Sequence, residues 1–394
     1  MEPVFVAGSV FSILKWQNTA FCKDTSVTMA QAKGKSTLLR KQPAMRKVLL
    51  ATVPCIAGSV YYFGWRSLAI ILFCCVIGYF FEWLFCRTRN EPVTEAVFVT
   101  AVLFALVMPP GVGWHVLAVG MAVAVIFSKE VFGGFGRNIF NPALAGRCFV
   151  YVCFPIALTG VWYPVADGPL GALTQWSTST TSDGTVAVTS ATPMAHLKAG
   201  RLVHPPVLSS GIPYELSGVQ DEIPFLIDED QTVIVRKWIL FKGLLLGRIS
   251  GSMGVTSALL ILIGGIYLFW KKIASRTTIL SVIITYAILN QVLYWCGVEP
   301  VPGAWPAVLG GGFLFGAFFM ATDPVSSPRT EPAKIFYGII IGTGTLVIRN
   351  FSIFNGGLMF SILLANMFAP ILDYAVKAYQ DKQRAKLKAK EAPA

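Results

Sequence analysis

"SLAIILFCCVIGYFFEWLFC", residues 67–86, is an apolar run in which Glu82 is the only charged side chain. A membrane hydrocarbon core about 30 Å thick is crossed by roughly 20 residues of helix, since each residue adds about 1.5 Å. The run therefore predicts a helix that crosses a membrane. A carboxylate inside hydrocarbon costs free energy, so Glu82 is a candidate functional residue.

Similar apolar stretches occur along most of the chain. Five precede a polar stretch at 164–250 and five follow it: 47–64, 67–86, 96–110, 113–128 and 143–163, then 255–270, 278–297, 305–321, 335–348 and 354–376. Only 13% of the residues are charged and 55% are hydrophobic, whereas an average soluble protein is about 25% charged. The sequence predicts an all-α integral membrane protein with about ten transmembrane helices in two five-helix halves.

The short connections between these stretches predict the orientation. Basic residues concentrate in the even-numbered connections: Arg87, Arg89, Lys129, Arg137, Lys271, Lys272, Arg276, Arg329 and Lys334. The odd-numbered connections carry only Arg66 and Arg349. Because basic loops stay in the cytoplasm, we predict a cytoplasmic N-terminal arm at 1–46 and a ten-span domain at 47–376. A charged cytoplasmic tail follows at 377–394, and the long 164–250 loop lies on the outer side.

The composition also argues against several classes of function. The net charge of +12 is explained by cytoplasmic loops and an anionic lipid surface. No basic patch is interleaved with aromatic residues, so no nucleic-acid partner is expected. The eight cysteines include no C-x-x-C pair and only three histidines are present. A self-contained zinc or iron–sulfur site and a haem with several histidine ligands are therefore not expected.

Glycine and proline interrupt one apolar region in each half. The two stretches are "KEVFGGFGRNIFNPALAGR" at 129–147 and "PAVLGGGFLFGAFFMATDPVSSP" at 306–328. They predict broken or re-entrant helices, which survive at membrane depth only when buried in protein or lining a polar cavity. Paired interruptions are typical of inverted-repeat transporters. The two halves do not align clearly, so an internal repeat stays open.

Three acids lie within or beside the apolar stretches: Glu82, Asp323 and Asp373. Each is either a step on a cation path or an interfacial residue near the end of a span, solvated by headgroups. Hydroxyl neighbours favour the first interpretation most for Asp323, since hard cations bind carboxylate, hydroxyl and carbonyl oxygens.

Two asparagines follow the glycines of the first interruption. Asn138 and Asn141 offer amide groups, and the adjacent glycines allow a flat ring to approach the backbone. A cofactor cradle is one interpretation. The other is a helix start at Asn141–Pro142, since asparagine is a good N-cap and proline fits the first turn. The two interpretations are compatible.

The polar stretch contains "VAVTSATPMAHLK", residues 186–198, with hydroxyl groups at Thr189, Ser190 and Thr192. By its chemistry alone this segment is an ordinary solvated loop. No activating base is evident beside the hydroxyls, so nucleophilic catalysis is not expected.

Several motifs occur in the same order in a known family: "FEWLF", "KEVFGGFGRNIFNPALAGRCF", "GSMGVTS", "ATDPVSS" and "NMFAPILDY". Over residues 45–378 the chain resembles the NqrB family, a membrane component of the sodium-translocating NADH:quinone oxidoreductase. The sister family, RnfD of the Rnf ferredoxin:NAD oxidoreductase, shares the FGG–FNPA region and is the alternative. A flavin-free channel or transporter of related fold is a further alternative.

The resemblance implies two flavins. FMN would be attached through its phosphate to Thr192, the last residue of "TSAT", and riboflavin would bind near Asn138 and Asn141. The family pattern has an acid six residues before the modified threonine, where this chain has Val186. The family also has a glutamate at the position of Val255.

The resemblance further implies a flavoprotein subunit of a six-subunit translocase in the bacterial inner membrane. Electrons from NADH would reach quinone through partner subunits while Na⁺ is exported, with Glu82, Asp323 and Asp373 on the sodium path. The subunit would not be active alone, because no NADH site is present.

Overall fold

The computed structural model describes residues 39–159, 163, 165–166, 170–178, 222–228, 231–247, 251–298, 300–352, 354 and 356–391. Residues Met1–Arg40 form a separate unit, of which the structure describes only a two-residue strand, β1 (Leu39–Arg40). The account below concerns the second unit, Lys41–Ala394. The predicted FMN site at Thr192, and Val186 with it, lie outside the described residues.

The first half is helical apart from one short strand. Its elements are α1 (Pro43–Phe63), α2 (Trp65–Arg89), β2 (Val93–Thr94), α3 (Ala96–Leu106), α4 (Trp114–Val125) with a π-helical turn at Ile126–Glu130, α5 (Pro142–Cys153) and α6 (Pro155–Thr159).

The second half is preceded by a strand pair. Its elements are β3 (Glu222–Asp228), β4 (Gln231–Arg236), α7 (Lys237–Leu246), α8 (Ala258–Trp270), α9 (Arg276–Trp295), α10 (Ala304–Leu309), α11 (Phe313–Phe315) with a π-helical turn at Gly316–Met320, α12 (Glu331–Phe351) and α13 (Gly357–Glu391).

Four helices are long and apolar enough to cross a membrane: Trp65–Arg89, Arg276–Trp295, Glu331–Phe351 and Gly357–Leu387. Shorter apolar helices are Ala96–Leu106, Pro142–Cys153 and Ala258–Trp270. The predicted all-α membrane class is confirmed. Each of the ten predicted apolar stretches contains helix, although several are short or interrupted. The number of ten membrane crossings stays a prediction.

Helix α2 has one exposed face and one buried face, and both are apolar in sequence. Every fourth residue from Leu72 to Leu84 is exposed although apolar, as expected for contact with lipid. Every fourth residue from Ile70 to Cys86 is buried against the other helices, and Glu82 lies on this inner stripe. The helix is apolar on all sides because one side meets lipid and the other meets protein.

Helix packing divides between the halves. Within the first half α2 packs on α3 and α4 packs on α5, while within the second half α12 packs on both α9 and α13. Helix α1 packs against α8 and so connects the halves. Small residues permit these close approaches. A Cβ on Gly146 of α5 would lie 2.6 Å from the backbone oxygen of Gly120 in α4.

Parts of the predicted 164–250 loop have regular structure. Strands β3 and β4 form an antiparallel hairpin that pairs Glu222 with Arg236, and α7 follows directly. Helix α7 was not predicted, because the stretch 164–250 is polar on average. At 10 residues, α7 is too short to cross a membrane. At the other end of the chain, α13 continues through the predicted boundary at 376 to Glu391. The charged tail thus extends the preceding helix.

Several of the basic residues assigned to loops lie in helices, and two of them are buried. Arg349 lies inside α12 and is 5% exposed, and Lys129 lies in the first π-helical turn and is 3% exposed. Assigning them to loops was therefore wrong. Both charges can be buried because each forms hydrogen bonds with buried groups that are distant in sequence.

Candidate functional site

The first interruption begins where α4 changes to a π-helical turn. The backbone N–H of Val131 donates to the oxygen of Ile126 at 2.9 Å, so this turn holds one residue more than an α-helical turn. Gly133, Gly134 and Gly136 follow with φ of 99°, 94° and 89°. These values are readily adopted only by glycine. The predicted break in the helix is confirmed here.

The second interruption contains the same kinds of feature, with its glycines before the π-helical turn instead of after it. The N–H of Ala321 donates to the oxygen of Gly316 at 2.8 Å, which closes a second π-helical turn. Gly311 and Gly312, with φ of 59° and 71°, precede it. In both halves a π-helical turn leads through an irregular segment to a helix with proline in its first turn. The interruptions therefore correspond in form.

Asn141 connects the two interruptions. Its Oδ1 accepts the N–H groups of Ala143 and Leu144 at 3.1 and 3.4 Å, which confirms the predicted helix start. Its Nδ2 donates to the backbone oxygen of Met320 at 3.2 Å. Met320 is the last residue of the second π-helical turn, and within the described backbone its carbonyl accepts only the long hydrogen bond from the Asp323 N–H at 3.4 Å.

The backbone of Asn141 is held by the last helix. The side-chain oxygen of Asn366 in α13 accepts the Asn141 N–H at 3.2 Å, and the side-chain nitrogen of Asn366 donates to the Tyr337 hydroxyl at 2.6 Å. Tyr337 and Asn366 are buried. The junction of the interruptions is therefore a polar network within an apolar core, and such a network specifies one arrangement of its helices.

Glu82 lies in a second buried polar group. Its Oε1 accepts the Thr94 N–H at 2.9 Å and the Thr94 hydroxyl at 2.6 Å. Its Oε2 accepts from the Lys129 ammonium at 2.5 Å, and that ammonium also donates to Thr94 Oγ1 at 2.9 Å. Helix α2 ends at Asn90, whose left-handed backbone turns the chain so that β2 brings Thr94 back to Glu82.

A neighbouring ion pair lies beside this group. Glu130, the residue after Lys129, pairs with the Arg89 guanidinium. Nε of Arg89 also lies 3.5 Å from Oε2 of Glu91. The other carboxyl oxygen of Glu130, Oε1, is buried and has no hydrogen-bond partner in the described part of the chain. The π-helical turn thus carries a buried cation and a buried anion on successive residues.

Asp323 and Asp373 have different partners. Asp323, directly after the second π-helical turn, accepts from the Ser326 hydroxyl at 2.7 Å and from the Val325 N–H at 3.3 Å. Asp373 of α13 accepts the N–H groups of Arg329 and Thr330 at 2.8 and 2.9 Å. Asp373 therefore holds the segment that begins α12. Each of the three predicted acids thus has its own set of donors, and their assignment to an ion path stays a prediction.

Two arginines with buried Nε atoms were not predicted as site residues from the sequence. Arg349 donates to the carbonyls of Ala307 and Gly310 at 3.1 and 2.9 Å. It thereby places a cation at the negative end of the short helix α10. Arg147 in α5 has a buried Nε without a partner among the described residues. Arg147 stands in the "NPALAGR" motif, so the motif could have drawn attention to it.

The surroundings of Asn138 fit the edge of a flat polar ring. Asn138 is buried and its Nδ2 donates to the Phe140 oxygen at 3.0 Å. A Cβ on Gly136, two residues before Asn138, would meet nothing within 4 Å, so the backbone there leaves room for a flat ring. The riboflavin site at Asn138 and Asn141 stays a prediction, as does FMN at Thr192.

These features define a class: a helical integral membrane protein with two interrupted helices and buried charges at both. The chain belongs to the NQR2, RnfD, RnfE family, whose model matches residues 35–381. It is 35% identical over 347 residues to the NqrB protein of Chromohalobacter salexigens, a Na(+)-translocating NADH-quinone reductase subunit, in an alignment covering 86% of this chain and 71% of that one.

Other relatives of the same name are similar to this degree. The protein from Klebsiella pneumoniae is 34% identical over 337 residues, covering 83% of this chain and 69% of that one. The protein from Neisseria meningitidis serogroup A is 33% identical with the same coverage.

Proposed function

We propose that this chain is the membrane subunit of a redox-driven sodium pump. Electrons from NADH pass through partner subunits toward quinone, and Na⁺ is exported. The observation that carries the proposal is the buried group of Glu82, Thr94 and Lys129, because ionisable side chains buried within apolar membrane helices typically serve ion pathways. The names of the relatives supply sodium, NADH and quinone.

The second part of the proposal concerns the flavins. FMN is attached through its phosphate to Thr192, and riboflavin is held near Asn138 and Asn141. When bound, the flavins supply the electron transfer, and the protein supplies binding and orientation. The open side of Gly136 and the amide of Asn138 support the riboflavin assignment.

The acids would provide oxygen ligands for sodium in transit. Asp323 lies in the second interruption, where the Ser326 hydroxyl and the Val325 N–H orient its carboxylate. Irregular backbone next to the carboxylate offers carbonyl oxygens, which Na⁺ binds as other hard cations do. Glu82, Asp323 and Asp373 would act as separate sites on this path, because each carboxylate has its own donors.

The surroundings of the subunit are part of the same proposal. It lies in a bacterial inner membrane with both termini in the cytoplasm and the 164–250 segment outside. Its partners are the other subunits of a six-subunit complex, quinone and lipid. The names of the relatives favour this complex over an Rnf-type one, and a ferredoxin-like partner subunit in place of one with NADH- and FAD-binding motifs would reverse the preference.

Mass spectrometry of the peptide that contains Thr192 tests the flavin assignment. After expression with the flavin transferase, we expect the mass of FMN less one water on that peptide. We also expect a fluorescent band in a denaturing gel that is lost in Thr192→Val and kept in Thr189→Val. An unmodified peptide and a dark band from the native chain would favour a flavin-free channel or transporter.

A further inference from the structure

Lys129 occupies a pocket with the chemistry of a cation site. Its ammonium lies 2.5 Å from Glu82 Oε2, 2.9 Å from Thr94 Oγ1 and 5.9 Å from the centre of the Phe135 ring. Glu82 and Lys129 are 0% and 3% exposed. Carboxylate and hydroxyl oxygens beside an aromatic face would suit a small monovalent cation equally well.

The pocket is assembled from a rigid part and a part that can change. Glu82 lies on the packed stripe of α2 and is fixed by two hydrogen bonds from Thr94. Lys129 lies on the π-helical turn, whose extra residue is absorbed by the glycines that follow. Such turns are frequent at functional sites. A return of this turn to α-helical hydrogen bonding would rotate Lys129 and leave Glu82 and Thr94 in place.

A second acceptor lies next to the pocket. Glu130 Oε1 is buried without a hydrogen-bond partner in the described part of the chain. A buried carboxylate oxygen without a donor costs free energy. It is therefore available to a cation that enters or leaves the Glu82 pocket.

We propose that Lys129 is a tethered counter-ion that competes with the transported cation for Glu82. The proposal rests on the proposed function, which places Glu82 on the sodium path. When no cation is bound, the Lys129 ammonium neutralises Glu82. When Na⁺ binds to the Glu82 and Thr94 oxygens, the ammonium withdraws, so the carboxylate is never left uncompensated in a medium of low dielectric constant.

Sodium titration of quinone reduction by the whole complex tests the competition. If the ammonium leaves the pocket open a tenth of the time, Lys129→Met lowers the half-saturating Na⁺ concentration about tenfold. Lys129→Arg raises it, because a guanidinium holds a carboxylate through two hydrogen bonds. Lys334→Met is the matched control. It removes a lysine from an ion pair with the exposed Glu331 and leaves the sodium curve unchanged.

A second measurement uses stability in place of turnover. The Lys129→Met complex unfolds at a higher temperature in sodium chloride than in choline chloride, because Na⁺ replaces the lost ammonium. This difference exceeds that of the native complex, and combining Lys129→Met with Glu82→Gln returns it to the native size, because the other proposed sodium sites are unchanged. An equal sodium effect in Lys129→Met and in the native complex would overturn the competition.

The outcomes distinguish failure of the Lys129 proposal from failure of the proposed function. Native sodium curves in both Lys129 variants, with a changed curve in Glu82→Gln, overturn the counter-ion alone. A native curve in Glu82→Gln removes Glu82 from the sodium path and with it the basis of the proposal. If the Lys129→Met complex does not assemble, the sodium curve of Lys129→Arg decides, and an unchanged curve overturns the competition.

Discussion

The side-chain nitrogen of Asn141 donates a hydrogen bond to the backbone oxygen of Met320 at 3.2 Å. The two residues are distant in sequence, and each lies at an interruption of a membrane helix. The same side chain caps α5 through its oxygen. The Asn141 amide therefore connects α5 of the first half with the π-helical turn Gly316–Met320 of the second half.

Substitution of Asn141 separates these two roles. Asn141→Ser keeps a capping oxygen but is too short to reach Met320, whereas Asn141→Ala loses both functions. We expect Asn141→Ala to cost about 1 kcal/mol for the cap. A further loss of about 1 kcal/mol comes from the lost hydrogen bond to the Met320 carbonyl, which keeps only the Asp323 N–H, at 3.4 Å, among the described backbone donors. Asn141→Ser shows mainly the second loss. Thermal unfolding in detergent measures both, and equal stability of the two variants would contradict the division.

Thr94 stabilises the buried pair of Glu82 and Lys129 through its hydroxyl. Thr94→Val preserves the shape but removes one hydrogen bond to each charged group, so we expect a loss of about 2–3 kcal/mol. Thr94→Ser keeps the hydroxyl and serves as the control. The measurement is the unfolding temperature of the two variants, and a native value for Thr94→Val would mean that the hydroxyl contributes nothing.

Asp323 is expected to bind sodium directly. Asp323→Ala raises the Na⁺ concentration for half-maximal stimulation of quinone reduction by tenfold or more, since even loss of a group that orients a ligand costs about tenfold. Ser326→Ala removes one hydrogen bond to the carboxylate and gives a smaller shift in the same direction. Sodium titration of the whole complex decides, and native curves for both variants would exclude Asp323 from the path.

Glu95, which precedes α3, confers a pH dependence on stability outside the spans. Arg46 donates to its carboxylate at 2.9 Å and the Gln42 N–H donates at 2.6 Å. These hydrogen bonds, with that of Arg46 the stronger influence, hold the pKa of Glu95 below its usual range. The stabilisation is complete above the ordinary carboxyl pKa of about 4.3 and is lost as the pH falls through the lowered value.

Acid unfolding of Glu95→Gln tests this dependence. The native protein loses stability as the pH falls below the ordinary carboxyl pKa. The variant lacks the stabilisation from the Glu95 carboxylate at every pH. The difference between their unfolding temperatures therefore narrows as the pH falls. A constant difference across the range would show that the carboxylate charge is not involved.

Local composition is enough to predict several parts of the fold. The apolar stretches 67–86 and 278–297 form long helices as expected, because apolar length alone determines whether a helix can cross a membrane. The helix start at Asn141–Pro142 is also predictable, since a capping side chain acts within its own first turn. The ordered motifs identify the family, and the match to the family model confirms it.

Arg349 and Lys129 could not be placed from the sequence. The pattern assigns both to loops, because a charge between apolar stretches usually marks the end of a span. Arg349 donates hydrogen bonds to carbonyls at the end of α10, and Lys129 is neutralised by Glu82. Both sets of partners are far away along the chain. The pairing of a buried charge depends on which helices are neighbours, and residue order does not contain that information.

By itself, the sequence determined that this chain is a helical membrane protein, where its helices are interrupted and to which family it belongs. These properties follow from apolar length, from the backbone preferences of glycine and proline, and from the motifs. Only the tertiary structure decided which face of α2 meets lipid and which face buries Glu82. It also decided that Lys129 neutralises that carboxylate, because burial of a charge inside hydrocarbon is tolerated where packing brings an opposite charge or other hydrogen-bonding groups within reach.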